Sequence, residues 1–596
     1  MLKDIKKIIS LLDSKQIKRA KYLILLMILM GVFELISIVS IFPLIGLISN
    51  PNIIYEQQIL LFIFNIFGFS SLKNFIIFSC IFCLLAFSTS IGVKTLTNYL
   101  QILFLQSCEY ELTRKLFGIY INQPYTWILK RNSAVLGKNI VSEMNTLVNY
   151  GLQPILVVLS QSILSFLIIT LIFISNFKLA ILLLSFFSII YSIIFFIVNP
   201  FLKRMGEERS ITNSIRFKLL NETFGAFKLL KLYGKEIFYL NKFNPIAKKY
   251  ASRESYLQII TILPRYFIEL LAFGGIQIII IFQVINNKDF LNSLPFISLY
   301  LFSGYRLLPS MQQIYNSIAQ LRYVKIPLQN IYKEIKDRAQ NKHKNIVNRK
   351  KINLKNKLTL NKISYSYETS SKAVLENISM TIPAKTTIGL VGTTGSGKTT
   401  TIDLILGLLE PISGFIKVDD TLINKNNHSA WQKNIGYVPQ DIFLIDSDIS
   451  SNIAFGCHEK DVDMKKVIRA SKIANLHNFI MNDLPNKYQT KIGERGIRLS
   501  GGQKQRIGIA RALYNDPTIL ILDEATSSLD NLTEKSVMKA VNDLSKDITI
   551  IMVAHRLSTV RECDLIYLFE NGKIICKGKF DELKASYKKF RDMTNI

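Results

Sequence analysis

Six long apolar runs dominate the first half of the chain, at roughly 22–48, 74–98, 152–175, 178–200, 258–285 and 291–312. Each is long enough to cross a bilayer as a helix, which takes about 20 apolar residues. The segments between them alternate in charge. Residues 1–21, 101–150 and 201–257 are rich in Lys and Arg, whereas 49–73, 176–178 and 286–290 carry few. Short basic segments stay on the cytoplasmic side, so this alternation predicts a cytoplasmic N-terminus and a cytoplasmic C-terminal half. The two long basic segments keep helical periodicity. They predict helices that run on beyond the bilayer and turn at Asn122-Gln123-Pro124-Tyr125, with Trp127, and at Asn221-Glu222-Thr223-Phe224. Residues 5–19 are basic and amphipathic and predict a helix lying on the inner membrane surface, with no cleavable signal pattern ahead of it.

Gln57 to Phe69 is too short to span and too apolar for water. It predicts a short helix at the outer membrane surface; the alternative is a simple extension of the second span. Near 356 the pattern changes to short strands alternating with helices. The chain therefore reads as a membrane domain over 1–325, a basic linker over 326–355 and an α/β domain over 356–596.

Composition narrows this picture. Hydrophobic residues make up 49% of the 596, and the mean hydropathy is +0.27, which argues against a soluble globular protein. The formal net charge is +30, from 73 basic against 43 acidic residues. Much of the excess flanks apolar runs, which points to a membrane rather than to nucleic acid. The six cysteines show no metal-ligand spacing; Cys80 and Cys83 lie within an apolar run, and all six read as reduced and structural. Charges inside spans are costly and invite a functional hypothesis. Glu34, Arg265, Glu269 and Arg306 stand out, with Lys94 near the inner end of its span. Lys94, Arg265 and Arg306 are candidates for lining a cavity that attracts an anionic head group. Alternatively, Arg265 and Glu269 pair four residues apart on one helix face, and Lys94 snorkels to the interface.

The sharpest chemistry lies in the second half. Gly392-Thr393-Thr394-Gly395-Ser396-Gly397-Lys398-Thr399 follows an apolar run and precedes a helical segment that begins at Thr400. Such a loop turns its N–H groups around β- and γ-phosphates; Lys398 adds a positive charge and Thr399 offers a hydroxyl to Mg²⁺. Tyr367, on an upstream strand, is the candidate adenine-stacking ring, with Tyr365 packed inside. Ile519-Leu520-Ile521-Leu522 ends in Asp523-Glu524, a Mg²⁺-binding carboxylate followed by a candidate base for the attacking water. Gln440 and His555 each follow an apolar strand and complete a γ-phosphate site: Gln440 towards metal and water, His555 towards phosphate oxygens. Ser500-Gly501-Gly502-Gln503 opens a helix, an anion-binding arrangement. One phosphate loop leaves the γ-phosphate partly uncovered, so this second anion site predicts a homodimer with two ATP molecules between subunits.

Taken together, these motifs resemble those of a bacterial half-size ABC exporter, an all-α six-helix membrane domain followed by one α/β P-loop nucleotide-binding domain. The resemblance spans essentially the whole chain. It assigns Tyr367, Gly392 to Thr400, Gln440, Leu499 to Gln503, Asp523, Glu524, Asp530 and His555 to the ATP site, and Gly493 to Gly496 to the loop that contacts membrane-domain turns. It implies ATP and Mg²⁺ as cofactors, an inner-membrane location and two hydrolysing sites per homodimer. A narrower resemblance rests on Glu34 with Phe42-Pro43, Asn122 to Tyr125, Pro264-Arg265-Tyr266 and Tyr305 to Pro309. These are similar to the lipid-linked oligosaccharide flippase of bacterial protein N-glycosylation (PglK-type). That group implies an anionic polyprenyl-diphosphate glycan as cargo, with another lipid, a drug or a peptide as the alternative. Lys94 stands where an Arg is expected and offers no bidentate grip. A soluble non-transport ATPase is disfavoured by the six spans, and an ATP-gated channel by Glu524.

Overall fold

The computed structural model describes residues 2–49, 58–69, 71–175, 177–285, 290–339, 351–367, 372–525, 531–544, 547–554 and 557–594. Its contacts divide the chain into two units, Met1–Gln123 with Trp127–His343, and Pro124–Thr126 with Lys344–Ile596.

The first unit is helical. Helices Ser14–Val39 with Ile41–Ser49, Leu72–Ile121, Gln153–Ser175, Phe177–Gly225, Glu236–Ile285 and Phe290–Tyr323 cover the six apolar runs. Among the described residues, three stretches are long and apolar enough to cross a membrane: Ser14–Ile48, Leu72–Ile121 and Ser133–Ile174. The helices outrun the bilayer where the basic segments keep their periodicity. Leu72–Ile121 and Glu236–Ile285 each have 50 residues, about 75 Å at 1.5 Å per residue. The turns fall near the expected places. Asn122 closes the first long helix before the short helix Tyr125–Leu129, and Ala226 separates Gly225 from the short helix Phe227–Leu232.

Two expectations change. The surface helix over 5–19 is two elements: Leu2–Leu11, and the start of the first spanning helix at Ser14. The break comes at Asp13, whose N–H donates to Gln16 Oε1 at 3.0 Å, satisfying a donor at the helix start. Ile8 and Leu11 are buried with Leu328 and Ile331, so the first helix packs on Lys325–Ala339 as well as presenting basic residues. The residues expected to open the linker are therefore helical. Of the apolar stretch Gln57 to Phe69, Gln57 lies outside the described residues. Gln58–Ile66 is a helix separate from the second span. It ends at Gly68, whose positive φ (61°) lets Phe69 N–H reach back to Phe64 O at 3.3 Å. Ser71 then caps the next helix through Asn74 N–H. One side of the short helix packs through Leu60, Ile63 and Phe64 against Leu47 and Phe75, leaving Phe62, Ile66 and Phe67 exposed.

The third spanning helix begins irregularly, with two π-helical turns at Asn139–Glu143 and Val148–Leu152. A buried ion cluster sits beside them. Arg209 Nε lies 2.8 Å from Glu254 Oε1, its Nη2 donates to Thr146 (3.0 Å) and Tyr250 (3.2 Å), and its Nη1 lies 3.7 Å from Glu143 Oε2. Lys138 Nζ approaches Glu143 Oε1 at 3.2 Å.

The second unit has two sheets. Strands β1 (Lys357–Tyr365), β2 (Leu375–Pro383), β3 (Thr387–Gly392), β4 (Ser413–Val418), β5 (Thr421–Leu422), β6 (Ile435–Val438), β7 (Ile519–Asp523), β8 (Thr549–Val553), β9 (Leu565–Glu570) and β10 (Lys573–Gly578) follow in chain order. The antiparallel sheet has order β2-β1-β4-β5 and the larger sheet β10-β9-β3-β8-β7-β6. Strands β3, β7 and β8 are buried at every position, as their unbroken apolar runs require in a parallel sheet covered on both faces. The second strand of the smaller sheet alternates buried and exposed residues over much of its length, the pattern of a strand with one wet face. One core lies between the sheets and includes the fully buried Trp431, whose indole N–H donates to Ile405 O at 2.7 Å. The other packs the far face of the large sheet against helices.

Candidate functional site

Parallel strands β6, β7, β8 and β3 all end on one side, and the chemistry gathers in the crevice outside those ends, where open α/β sheets bind ligands. The phosphate loop leaves β3 and runs into helix Lys398–Ile405. Its turn depends on Gly397, at φ 101°. A Cβ there would meet Leu375 Cδ2 at 2.5 Å, so both conformation and space select glycine. Lys398 is buried and folds back, donating to Gly392 O at 2.7 Å and Thr393 O at 2.9 Å. Burial lowers the pKa of its ammonium, against the opposing pull of Glu524 and Asp523. Thr393, Thr394, Gly395 and Thr399 are exposed along the loop, while Ser396 is buried.

Register brings the acids to the loop. Strand β6 pairs with β7 through Val438↔Leu522, which sets Gln440 beside the end of β7. Gln440 Nε2 donates to Glu524 Oε2 at 2.9 Å. Asp523 is buried at the strand end, and Glu524 follows at φ 51°, a left-handed backbone that re-aims its side chain. The Tyr437 hydroxyl donates to Asp523 Oδ2 at 3.4 Å. Burial first, then the charges of Asp523 and Asp403, push the Tyr437 phenol up. Asp403, on the helix after the loop, is raised to about 6 by burial and then by Asp523. Tyr367 comes within 3.4 Å of the Thr400 hydroxyl, and its ring meets Tyr365 edge-on at 5.1 Å; Tyr365 is buried, as expected.

Ser500 heads helix Gly501–Leu513, where it and Gln503 bond each other: Ser500 N–H to Gln503 Oε1 at 2.8 Å, Gln503 N–H to Ser500 Oγ at 3.3 Å. Gly501 and Gly502 lie in the same first turn. Asp530 and His555 lie outside the described residues. Three contributors escaped the sequence reading. Tyr437 and Asp403 look like ordinary strand and helix residues until the sheet brings them to Asp523. Arg511 ties the loop after Gln440 to the helix behind Ser500, donating to Phe443 O (2.7 Å) and Asn452 O (2.8 Å). Only its position, one residue in a helix that opens on the Ser-Gly-Gly turn, hinted at this.

Among the described residues no group of three or more His, Cys, Asp or Glu is arranged for a metal. The oxygen donors at hand, the Thr399 hydroxyl, Asp523 carboxylate and Gln440 amide, are of the hard type that suits Mg²⁺ shared with phosphate oxygens.

In the membrane unit, Lys94 Nζ lies 2.7 Å from Glu34 Oε1, and Arg306 Nη1 lies 3.6 Å from the same oxygen. Arg265 is elsewhere occupied: its Nε bonds Glu269 Oε1 at 2.6 Å, four residues along one helix. The three candidate cations therefore divide into a Lys94–Arg306 pair around Glu34 and a separate Arg265–Glu269 ion pair.

Residues 52–286 match the ABC transporter transmembrane region, and residues 375–527 match the ABC transporter family's ATP-binding domain. The chain is thus an ABC transporter, with the membrane region and the nucleotide-binding domain on one polypeptide. It is similar to an ATP-dependent lipid A-core flippase of Cupriavidus pinatubonensis, 27% identical over 505 residues and 82% of each chain. It is also similar to the uncharacterized ABC transporter ATP-binding protein YknU of Bacillus subtilis, 34% identical over 390 residues, 63% of this chain and 64% of that one. The fold matches a bacterial Atm1-family ABC exporter with ATP bound, at TM-score 0.79 and 21% identity over 98% of both chains. More particularly, the protein is a membrane-embedded ATP hydrolase whose turnover is coupled to translocation, and its fold is that of an exporter half-transporter.

Proposed function

We propose that this exporter works as a homodimer in the bacterial inner membrane and moves a lipid-linked oligosaccharide, a polyprenyl-diphosphate glycan, towards the outer side. The observation that carries the cargo reading is the convergence of Lys94 and Arg306 on Glu34 within the apolar runs of their helices, two cations to one acid, which supports a positive site for an anionic head group. The short helix Gln58–Ile66, with Phe62 and Ile66 exposed on it and Phe67 exposed just past its end, supports it by offering an apolar surface to a lipid tail. A second reading, supported by the lipid A-core flippases among its relatives, is export of a different glycolipid.

In the ATP site, the loop Gly392 to Thr400 cradles the phosphates, Tyr367 stacks on adenine, and Lys398 leaves its loop carbonyls to pair with phosphate oxygens. Mg²⁺, held by Thr399, Asp523 and Gln440, would neutralise phosphate charge. Glu524 takes the proton of the attacking water, with Gln440 orienting its carboxylate and His555 facing the γ-phosphate. Ser500 to Gln503 and Asp530 cover the nucleotide of the partner subunit. ATP closes the pair of nucleotide-binding domains, and hydrolysis resets it.

The test is ATP turnover and translocation of a labelled polyprenyl-diphosphate oligosaccharide in proteoliposomes, for wild type and Glu524→Gln. Wild type should do both. The variant should bind ATP but lose about 10²–10⁴-fold in hydrolysis, the usual contribution of a general base, and move no lipid. Wild-type hydrolysis without movement of this lipid would sink the cargo reading and leave the ATP-site assignment standing.

A further inference from the structure

The charges that meet inside the membrane unit do not balance. Lys94, from helix Leu72–Ile121, and Arg306, from helix Phe290–Tyr323, share a single oxygen of Glu34, from helix Ser14–Val39, at 2.7 and 3.6 Å. The Glu34 side chain is 1% exposed, whereas Lys94 and Arg306 keep 40% and 23%. Two half-open cations therefore hold one buried carboxylate, and one positive charge is left over. The other carboxylate oxygen, Oε2, is buried and has no hydrogen-bond partner among the described residues. No other acid occurs in Phe290–Tyr323, and the nearest acids of Leu72–Ile121 to Lys94 are Glu109 and Glu111, some four turns away. The site is built to take more negative charge than it contains.

Glu34 is also a competitor. It is tethered beside both cations, so its effective concentration far exceeds that of a free ligand. An incoming group with a single negative charge meets a net charge of one and must displace an equally charged, tethered carboxylate. A diphosphate carries more charge and more oxygens. It can hold both cations while outweighing Glu34, because in a poorly screened interior the attraction grows with the product of the charges. Resting on the reading of Lys94 and Arg306 as the head-group site, we propose that Glu34 determines specificity: it sets a charge threshold that admits a diphosphate lipid and rejects singly charged phosphodiester lipids of the surrounding membrane.

The experiment uses the full-length protein in neutral detergent, with binding of undecaprenyl diphosphate and of phosphatidylglycerol titrated by native mass spectrometry. Comparing wild type with variant cancels the difference between the two tails. Wild type should prefer the diphosphate. Glu34→Gln should bind phosphatidylglycerol at least about tenfold tighter than wild type, so that a lipid the wild type rejects is now admitted, and should tighten the diphosphate at least as much; close charge pairs are worth at least this much. Glu34→Asp, which keeps the charge, should stay near wild type for both lipids. Lys94→Gln removes the surplus positive charge while leaving Glu34 its Arg306 partner at 3.6 Å, and should lose at least about tenfold in diphosphate affinity. Unchanged phosphatidylglycerol affinity in Glu34→Gln overturns the threshold while leaving the cargo reading intact, whereas unchanged diphosphate affinity in Lys94→Gln overturns the head-group reading on which the threshold rests. Wild type that binds neither probe overturns the head-group reading itself.

Discussion

Arg209 offers a direct test of how the helical unit is held together. Its side chain is 5% exposed and touches elements far apart in sequence: Glu143 in the first π-helical turn and Thr146 between the two, and Tyr250 and Glu254 on the helix Glu236–Ile285. Replacing it with Leu keeps an apolar stem but strands the acids. Glu254, 21% exposed, can recover water. Glu143, 2% exposed, cannot, and keeps Lys138 at 3.2 Å and the Ser210 hydroxyl at 3.5 Å, both on its other oxygen. Removing one partner of a buried ion pair costs about 3–5 kcal/mol; with Lys138 retained, the lower end, about 3 kcal/mol, is expected. At about 2 °C per kcal/mol for a large domain, Arg209→Leu should lower the melting midpoint by about 6 °C. The assay is heating of the purified full-length protein followed by size-exclusion recovery, without nucleotide. The double variant Arg209→Leu with Glu143→Gln removes the stranded charge and should recover at least about 1 kcal/mol of that loss, a coupling typical of contacting residues. If the single variant melts with wild type, or the double variant is less stable than the single one by the full cost of a second lesion, the cluster is not the buried network described.

Two further outcomes follow from the ATP-binding unit. Gly397→Ala should abolish nucleotide binding in a fluorescent-ATP titration, because the left-handed φ of 101° and the Leu375 contact both oppose a Cβ; retained affinity would show that the loop tolerates another path. Asp403, with a pKa of about 6, holds a proton in the folded state that the unfolded chain, near 3.8, has already released. Its contribution is favourable at low pH and lost as pH rises through about 6. Asp403→Asn should therefore melt higher than wild type at pH 8, with the gain shrinking below pH 6, in nucleotide- and magnesium-free buffer. A gain that does not vary with pH would contradict the assignment.

The local pattern alone carried much of the architecture. Apolar run length and the helical periodicity of the basic segments anticipate the long helices that cover all six apolar runs and continue past them, because a bilayer demands helices and charge must stay outside it. The phosphate loop, the strand ending in Asp523-Glu524 and the Ser500 turn were legible because each motif couples a short backbone shape to one chemical task. Pattern could not say where the first spanning helix begins, since the Asp13–Gln16 bond that starts it competes with an amphipathic run that continues through it. Nor could it join residues distant in sequence. Tyr437 reaches Asp523 only through the pairing of β6 with β7, and Gln440 meets Glu524 for the same reason. Spacing along one helix exposed the Arg265–Glu269 pair. The sharing of Glu34 by Lys94 and Arg306 was decided by three helices packing together, because a charge buried in an apolar interior must find its partners across space, wherever the fold sets them.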